Sequence, residues 1–191
     1  MERQSQRPES AYFYYPRLVC VIGARDEERA TTNFAPVTWA TPLSSDPPLF
    51  GVCLSPTTRT HHLVLTTGEF TLSFLGRAEM ALVDALGKLS GKQVDKVKAL
   101  ALATEPGEVV ATHSLSAAYA SAECVLVDRH QCGNQTLLVG EVQHVRVAAD
   151  AYDQEGVLRL DRISPLFYLG GSRYVTTDPA SEARLSVPGD R

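Results

Sequence analysis

Residues 136–148 read as a strand whose alternation slips twice: the apolar positions run Leu137, Val139, then Val142, then Val145 and Val147. Side chains on a strand alternate between faces, so a slip of one residue would turn the apolar set towards water unless a β-bulge absorbs the extra residue. The spacing therefore predicts a long bulged strand. Other short runs, at 17–24, 37–41, 49–54, 69–75, 121–128, 157–160 and 166–175, are rich in apolar and β-branched residues and are bounded by Gly, Pro and charged turns. Pro42 ends one of them, and Ser44, Ser45, Asp46, Pro47 and Pro48 force a turn before the next. Many short strands with few intervening helices favour a closed or half-closed antiparallel barrel over a parallel sheet.

Three helical pieces are expected beside the strands. Ser55, Pro56, Thr57 and Thr58 supply start signals for a helix through His61, Leu63 and Leu65 to Thr67, with Gly68 as its C-cap. Met80, Leu82, Val83 and Leu86 recur at helical spacing within 77–88, closed by Gly87 and Gly91, and 94–102 reads as a shorter helix. At 191 residues the chain can bury one good-sized core, so a single domain over 1–176 is expected, with a C-terminal tail over 177–191 and a polar arm over 1–10.

Charge and cysteine content exclude several function classes. The formal net charge is −4 with both signs interspersed, which speaks against a nucleic-acid footprint and means that an anionic ligand must be caught by local geometry. No stretch approaches the roughly 20 apolar residues that span a bilayer, and 1–10 lacks an apolar signal core, so no membrane partner is expected and the expected compartment is the cytoplasm. Cys20, Cys53 and Cys124 sit in apolar runs and read as core; Cys132 near His130 is too little for a metal site, so no metal is expected. His61 and His62 point about 100° apart on a helix, which unsuits them to share an ion and suits a helix surface or interface. There is no G-x-G-x-x-G, Walker loop, G-x-S-x-G or H-E-x-x-H.

The stretch 33–62 is crowded with small polar residues, prolines and the single tryptophan, Trp39, all around strand ends. Thr57 and Thr58 before a helix start, with Arg59 and Thr60 in its first turn, combine free backbone N–H groups, the positive end of the helix dipole, hydroxyls and a guanidinium. That is a phosphate cradle by pattern; the same residues also suit a plainly capped helix with a solvated arginine.

The order of motifs from Tyr14 to Leu75 resembles the flavin reductase-like, FMN-binding split-barrel family, within it the flavoredoxin branch. The Tyr-Pro entry (Tyr15, Pro16), Asn33 followed by Ala35, Pro36, Thr38 and Trp39, the Asp-Pro-Pro turn, the Thr58-Arg59-Thr60 helix start and the exit through Thr67, Gly68, Glu69 and Phe70 carry it. Runs at 90–100, 122–130 and 139–145 follow in the same order, and the resemblance spans about residues 12–174.

The resemblance implies a mostly β, antiparallel Greek-key split barrel, a homodimer with FMN between subunits, and NADH or NADPH as hydride donor. It implies further that Asn33, Ala35, Pro36, Val37, Thr38 and Trp39 lie along the flavin ring and ribityl chain. Ser55, Thr58, Arg59 and Thr60 would hold the phosphate, and Tyr168, Gly170 and Gly171 would approach the flavin. No catalytic acid or base is implied, because the cofactor carries the chemistry. The implied activity is an NAD(P)H-dependent flavin reductase, with a partner oxygenase as one destination of the reduced flavin. An electron carrier with tightly bound FMN, or a non-catalytic flavin-binding dimer, are the alternatives.

Overall fold

The computed structural model of the chain describes residues 11–184; the arm at 1–10 and the end of the tail, 185–191, lie outside the described residues. In chain order the elements are β1 (Arg17–Leu18), β2 (Cys20–Asp26), β3 (Thr31–Val37), β4 (Ala40–Ser45), β5 (Pro48–Leu54), α1 (Arg59–Thr67) and β6 (Glu69–Phe74). They continue with α2 (Met80–Lys88), α3 (Lys96–Ala99), β7 (Thr104–Glu105), β8 (Ser114–Leu115), β9 (Ala120–Cys132), β10 (Gln135–Val147), β11 (Phe167–Gly170) and β12 (Arg173–Val175). Among the described residues no helix is long and apolar enough to cross a membrane.

Seven strands form one sheet in the order β3-β2-β6-β9-β10-β5-β4, with every neighbouring pair antiparallel. Its two edge strands, β3 and β4, are consecutive in the chain and joined only by Thr38 and Trp39. A flat sheet of this size would separate its edges by about 29 Å, whereas the link from Val37 to Ala40 reaches about 10 Å. The sheet must therefore curl until its edges approach, which gives the antiparallel barrel that the sequence predicts.

The two irregularities in the β9–β10 pairing fall between Val139 and Gly140 and between Val142 and His144. These are the two places where the apolar alternation slips. The bulges keep Leu138 and Val142 against the barrel core on either side of the first irregularity.

Strand β2 is covered on both faces, which explains why its first five residues, Cys20 to Ala24, carry no polar side chain. Cys20, Ile22 and Ala24 point into the barrel with Val52, Phe70, Leu72, Cys124 and Leu138. Val19 and Val21 point the other way, into a second cluster with Phe34, Val83, Leu86, Leu115 and Leu166 beneath α2. Burial pushes the Cys20 and Cys124 thiols up to about 12, so they pack as small apolar groups at neutral pH. Cys53 is half-buried and Cys132 is exposed.

Helix α1 starts and stops where its capping residues dictate. The Thr58 hydroxyl accepts from the His61 amide at 3.2 Å, and Gly68 adopts the left-handed conformation at φ 72° while its N–H reaches the Val64 carbonyl. A Cβ on Gly68 meets nothing within 4 Å. The Gly68→Ala variant should therefore carry only left-handed backbone strain and lose about 1 kcal/mol, read as a lower midpoint of urea denaturation.

Several local expectations are corrected by tertiary context. The strand placed at 37–41 is instead two strands, with the chain leaving β3 at Val37 and entering β4 at Ala40. Pro36 sits inside β3, which tolerates it because an edge strand needs no donor on its free side. At 157–160 there is only an isolated bridge between Tyr152 and Leu158, and 166–175 is a hairpin turning at Gly170 and Gly171, with φ of 97° and 59°. Gly87 lies within α2, which ends at the extended Leu89, and the helix expected at 94–102 is the four-residue α3. His61 is buried, not exposed, with its Nε2 and the Thr136 hydroxyl 3.1 Å apart; desolvation, with Arg129 and His62 nearby, lowers its pKa.

A long loop between β7 and β8 is held down by two carboxylates on the outer face of the sheet. Glu123 on β9 accepts from the amides of Glu108, Val109 and Val110 at 2.8–3.0 Å, and His144 Nδ1 lies 3.2 Å from its Oε1. Glu69 on β6 accepts from the Ala111 amide and the Thr112 hydroxyl.

Candidate functional site

A cavity of about 470 Å³ opens between the edge strand β3, the start of α1 and the turn that follows α2. Strand β3 contributes Asn33, Ala35, Pro36 and Val37, and the helix start contributes Thr57, Thr58, Arg59 and Thr60. The end of α2 contributes Gly87 and the turn after it Leu89, Ser90, Gly91 and Lys92, with Lys96 beside them. A smaller space of about 270 Å³ adjoins it and shares Pro36 and Gly87; Thr38, Asp84, Lys88, Tyr168, Ser172 and Tyr174 also line it.

The three walls are fastened to each other by specific contacts. Asn33 Nδ2 donates to the Thr60 hydroxyl at 2.8 Å, joining β3 to α1. Gly91 packs so closely on the Asn33 carboxamide that a Cβ at this position would overlap it, which is why the turn needs glycine here. Arg29, in the turn between β2 and β3, donates to the carbonyls of Gly91, Lys92 and Val94. Lys96 Nζ donates to the carbonyls of Phe34 and Leu86, both at 2.8 Å.

The charged side chains that line the larger cavity are all basic. Arg59, Lys92 and Lys96 line it, and no Asp or Glu does. The amides of Arg59 and Thr60, at the N-terminus of the nine-residue α1, have no acceptor among the described residues. Apolar residues complete the lining, with Ala35, Pro36 and Val37 from β3, Leu54 from β5, Leu86 from α2 and Leu89 just after it. The space thus combines groups that suit an anion with apolar surface that suits a flat, largely apolar body.

Arg59 is less free than its sequence position suggests. Its Nε and Nη2 hydrogen-bond the fully buried Asp26 carboxylate at 2.9–3.2 Å, and Nη2 also lies 2.7 Å from Glu28. Only Nη1 stands outside these pairs. Asp26 also accepts from the Arg29 amide, so one carboxylate organises both arginines.

In the smaller space, hydrogen bonding to Lys88 holds the Asp84 carboxyl below its usual range. The Tyr168 and Tyr174 rings lie 5.1 Å apart, and burial followed by the Asp84 charge pushes the Tyr174 phenol up to about 12. The Thr38 hydroxyl lies 3.3 Å from the Tyr15 hydroxyl.

Of the residues singled out in the sequence, Asn33, Ala35, Pro36, Val37, Thr58, Arg59 and Thr60 line the larger cavity, and Thr38 and Tyr168 line the adjoining one. Ser55, Trp39, Gly170 and Gly171 line neither; the Ser55 hydroxyl is turned to Thr57 at 2.9 Å. Sequence reasoning missed Ser90, Gly91, Lys92 and Lys96. The signal was present as two lysines four residues apart behind a glycine, but their distance in sequence from Asn33 hid their proximity in space.

The sequence model described as the flavin reductase-like domain matches residues 12–177. The chain belongs to the flavin reductase-like family. An FMN-binding protein from Thermus thermophilus, crystallised with bound 1-cyclohex-2-enone, is 34% identical and covers 96% of this chain and 98% of its own, with a TM-score of 0.83. Flavoredoxin of Desulfovibrio vulgaris (Miyazaki F) is 24% identical over 100% of this chain and 98% of its own, at a TM-score of 0.83. Nitrilotriacetate monooxygenase component B from Bacillus cereus is 20% identical over 97% and 98%, also at 0.83. The last two show the shared flavin reductase-like split barrel.

Proposed function

We propose that this flavin reductase-like protein binds FMN in the two adjoining spaces and serves as an NAD(P)H-dependent flavin reductase. The observation that carries the reading is the composition of the larger cavity: Lys92, Lys96, the Nη1 edge of Arg59 and unpaired helix amides beside an apolar surface, with no carboxylate in the lining. A phosphate dianion and an isoalloxazine ring need those two environments side by side. The volume of about 470 Å³ lies within the usual range of small-molecule sites, about 300–1,000 Å³.

In this reading Thr58, Thr60, Lys92 and the Arg59 and Thr60 amides hold the phosphate, with Arg59 Nη1 turned towards it. Asn33, Ala35, Pro36 and Val37 line the ribityl chain and ring, and Thr38 and Tyr168 flank the ring's far end. When bound, FMN supplies the hydride-accepting chemistry, with reduced nicotinamide as donor. The residues of the chain bind, orient and exclude water. The domain proposed for this function is 1–176. The Thermus relative, at 34% identity, is an FMN-binding protein, which supports FMN as the ligand here.

The protein is proposed to act as a homodimer. Val145 and Val147 pair across from Ala122 and Ala120 on the concave side of the sheet, yet they are half exposed, as are Trp39 and Leu43. A second copy would cover this apolar surface.

Titration with FMN, followed by absorbance and then by NADH or NADPH oxidation, tests the reading. The expected result is a yellow protein that oxidises reduced nicotinamide and turns over added flavin. Lys92→Gln should weaken FMN about tenfold and leave riboflavin unchanged, because a charge-assisted contact to phosphate is worth about 1.5–3 kcal/mol. A protein that stays colourless in FMN would overturn the proposal. A yellow protein inert to both nicotinamides would leave the electron-carrier reading, with a protein acceptor in place of an oxygenase.

A further inference from the structure

Lys96 is only 5% exposed, lies in the wall of the larger cavity, and has no carboxylate partner among the described residues. Two of its three N–H donors are used by the Phe34 and Leu86 carbonyls, and the third has no protein acceptor among the described residues. Those two carbonyls explain why a donor is needed here. One leaves the free edge of β3 and the other leaves the last turn of α2, where neither element supplies a partner of its own. They do not explain why the donor is charged, since a neutral amide could also donate to a carbonyl and a buried unpaired ammonium is costly.

The neighbouring charges leave the ammonium uncompensated. Strand β3 carries no titratable side chain, and on α2 Asp84 and Lys88 pair with each other. Asp95 caps the amides of Val97 and Lys98 and pairs with Lys98, while Arg59 is held by Asp26 and Glu28. Lys92, the remaining charge in the wall, is also positive.

We infer that Lys96 is a positioning residue whose protonation is coupled to the ligand's phosphate: the dianion entering the cavity draws a proton onto the buried amine, and the ammonium in turn strengthens binding. The inference rests on the FMN reading above. Burial alone pushes the Lys96 amine down to about 8, so near pH 8 about half of the unliganded molecules carry it neutral. A nearby dianion favours the charged form, and linkage requires phosphate and proton to strengthen each other by the same factor. The sign follows: binding takes up a proton near pH 8, and affinity falls as pH rises through and above 8.

Calorimetric titration of the wild-type protein at pH 8, in two buffers of unlike ionisation enthalpy, reads the coupling directly. We expect uptake of about half a proton per FMN and none with riboflavin, because the phosphate's own second ionisation, near pH 6, is complete at pH 8. FMN affinity should fall about tenfold between pH 7 and pH 9.5. Lys96→Arg should flatten that profile, keeping the charge at every pH; Lys96→Gln should flatten it at the weaker level. FMN binding without buffer dependence, or equal uptake with riboflavin, would overturn the role of Lys96 and leave FMN binding intact. Failure of FMN to bind the wild-type protein would instead overturn the cofactor reading, and this inference with it.

Discussion

Arg59→Ala is expected to destabilise the protein by about 3–5 kcal/mol, more than its place at a helix start would suggest. The Asp26 side chain is 1% exposed, and Arg59 supplies its closest counter-charge through Nε and Nη2. Removing the guanidinium leaves a buried carboxylate with the more distant Arg29 side chain at 4.0 Å. Breaking one side of a buried pair costs far more than the pair contributes, because the remaining charge stays desolvated. The double variant Asp26→Asn, Arg59→Ala should therefore be more stable than Arg59→Ala alone. Urea denaturation of the two single variants and the double variant completes the cycle. A loss below about 1 kcal/mol in Arg59→Ala would show that Arg29 or water takes over. The same geometry makes Lys92→Gln the cleaner probe of the phosphate, since that side chain is exposed and its loss leaves no buried charge behind.

Glu123→Ala should cost about 3 kcal/mol and loosen the loop between β7 and β8. Three successive amides, those of Glu108, Val109 and Val110, converge on this carboxylate, and truncation leaves them without a partner in a site that is 4% exposed. Burial by itself would raise the Glu123 pKa, but the three amides and His144 outweigh it and hold the carboxyl below its usual value. A depressed folded-state pKa means that the stabilisation is complete above the unfolded value, about 4.3, and is lost as pH falls towards the folded one. The stability gap between wild type and Glu123→Gln should accordingly be widest at neutral pH and close below about pH 4.3. Proteolysis within 106–112 should rise in parallel. A gap unchanged down to pH 3 would show that the amides do not depend on the charge.

The strand content was legible wherever burial imposes a period. The double slip between Val139 and Val145 located both bulges, because side-chain alternation has a period of two and tolerates no silent insertion. The start and stop of α1 were legible because Thr58 and Gly68 act within one turn of chain. Strand β3 was not, because Phe34 and Val37 are its only large apolar residues, they are three apart rather than in alternation, and Pro36 lies between them; it is a strand through its pairing with β2, from Cys20 opposite Val37 to Asp26 opposite Thr31. The hairpin of β11 and β12 was seen only as one run, since the paired glycines that turn it read equally well as a close approach.

For the site, the local half was visible in the chain. Thr58, Arg59 and Thr60 announce a helix N-terminus, and Asn33 to Trp39 announce a polar strand end. What remained hidden depends on distant partners: Lys92 and Lys96 reach the cavity because Arg29 and the carbonyls of Phe34 and Leu86 hold the turn after α2 against β3. Arg59 looked free because Asp26, 33 residues away, is not near it until the barrel curls.

The chain by itself thus determined its class, an antiparallel barrel with a capped helix and an anion-suited turn, since periodicity, caps and prolines act over a few residues. Which cations face the cavity, and which are consumed by a buried carboxylate, was decided only by the tertiary structure. Charge pairing depends on distance through space and on desolvation, and neither is written in the spacing of residues along the backbone.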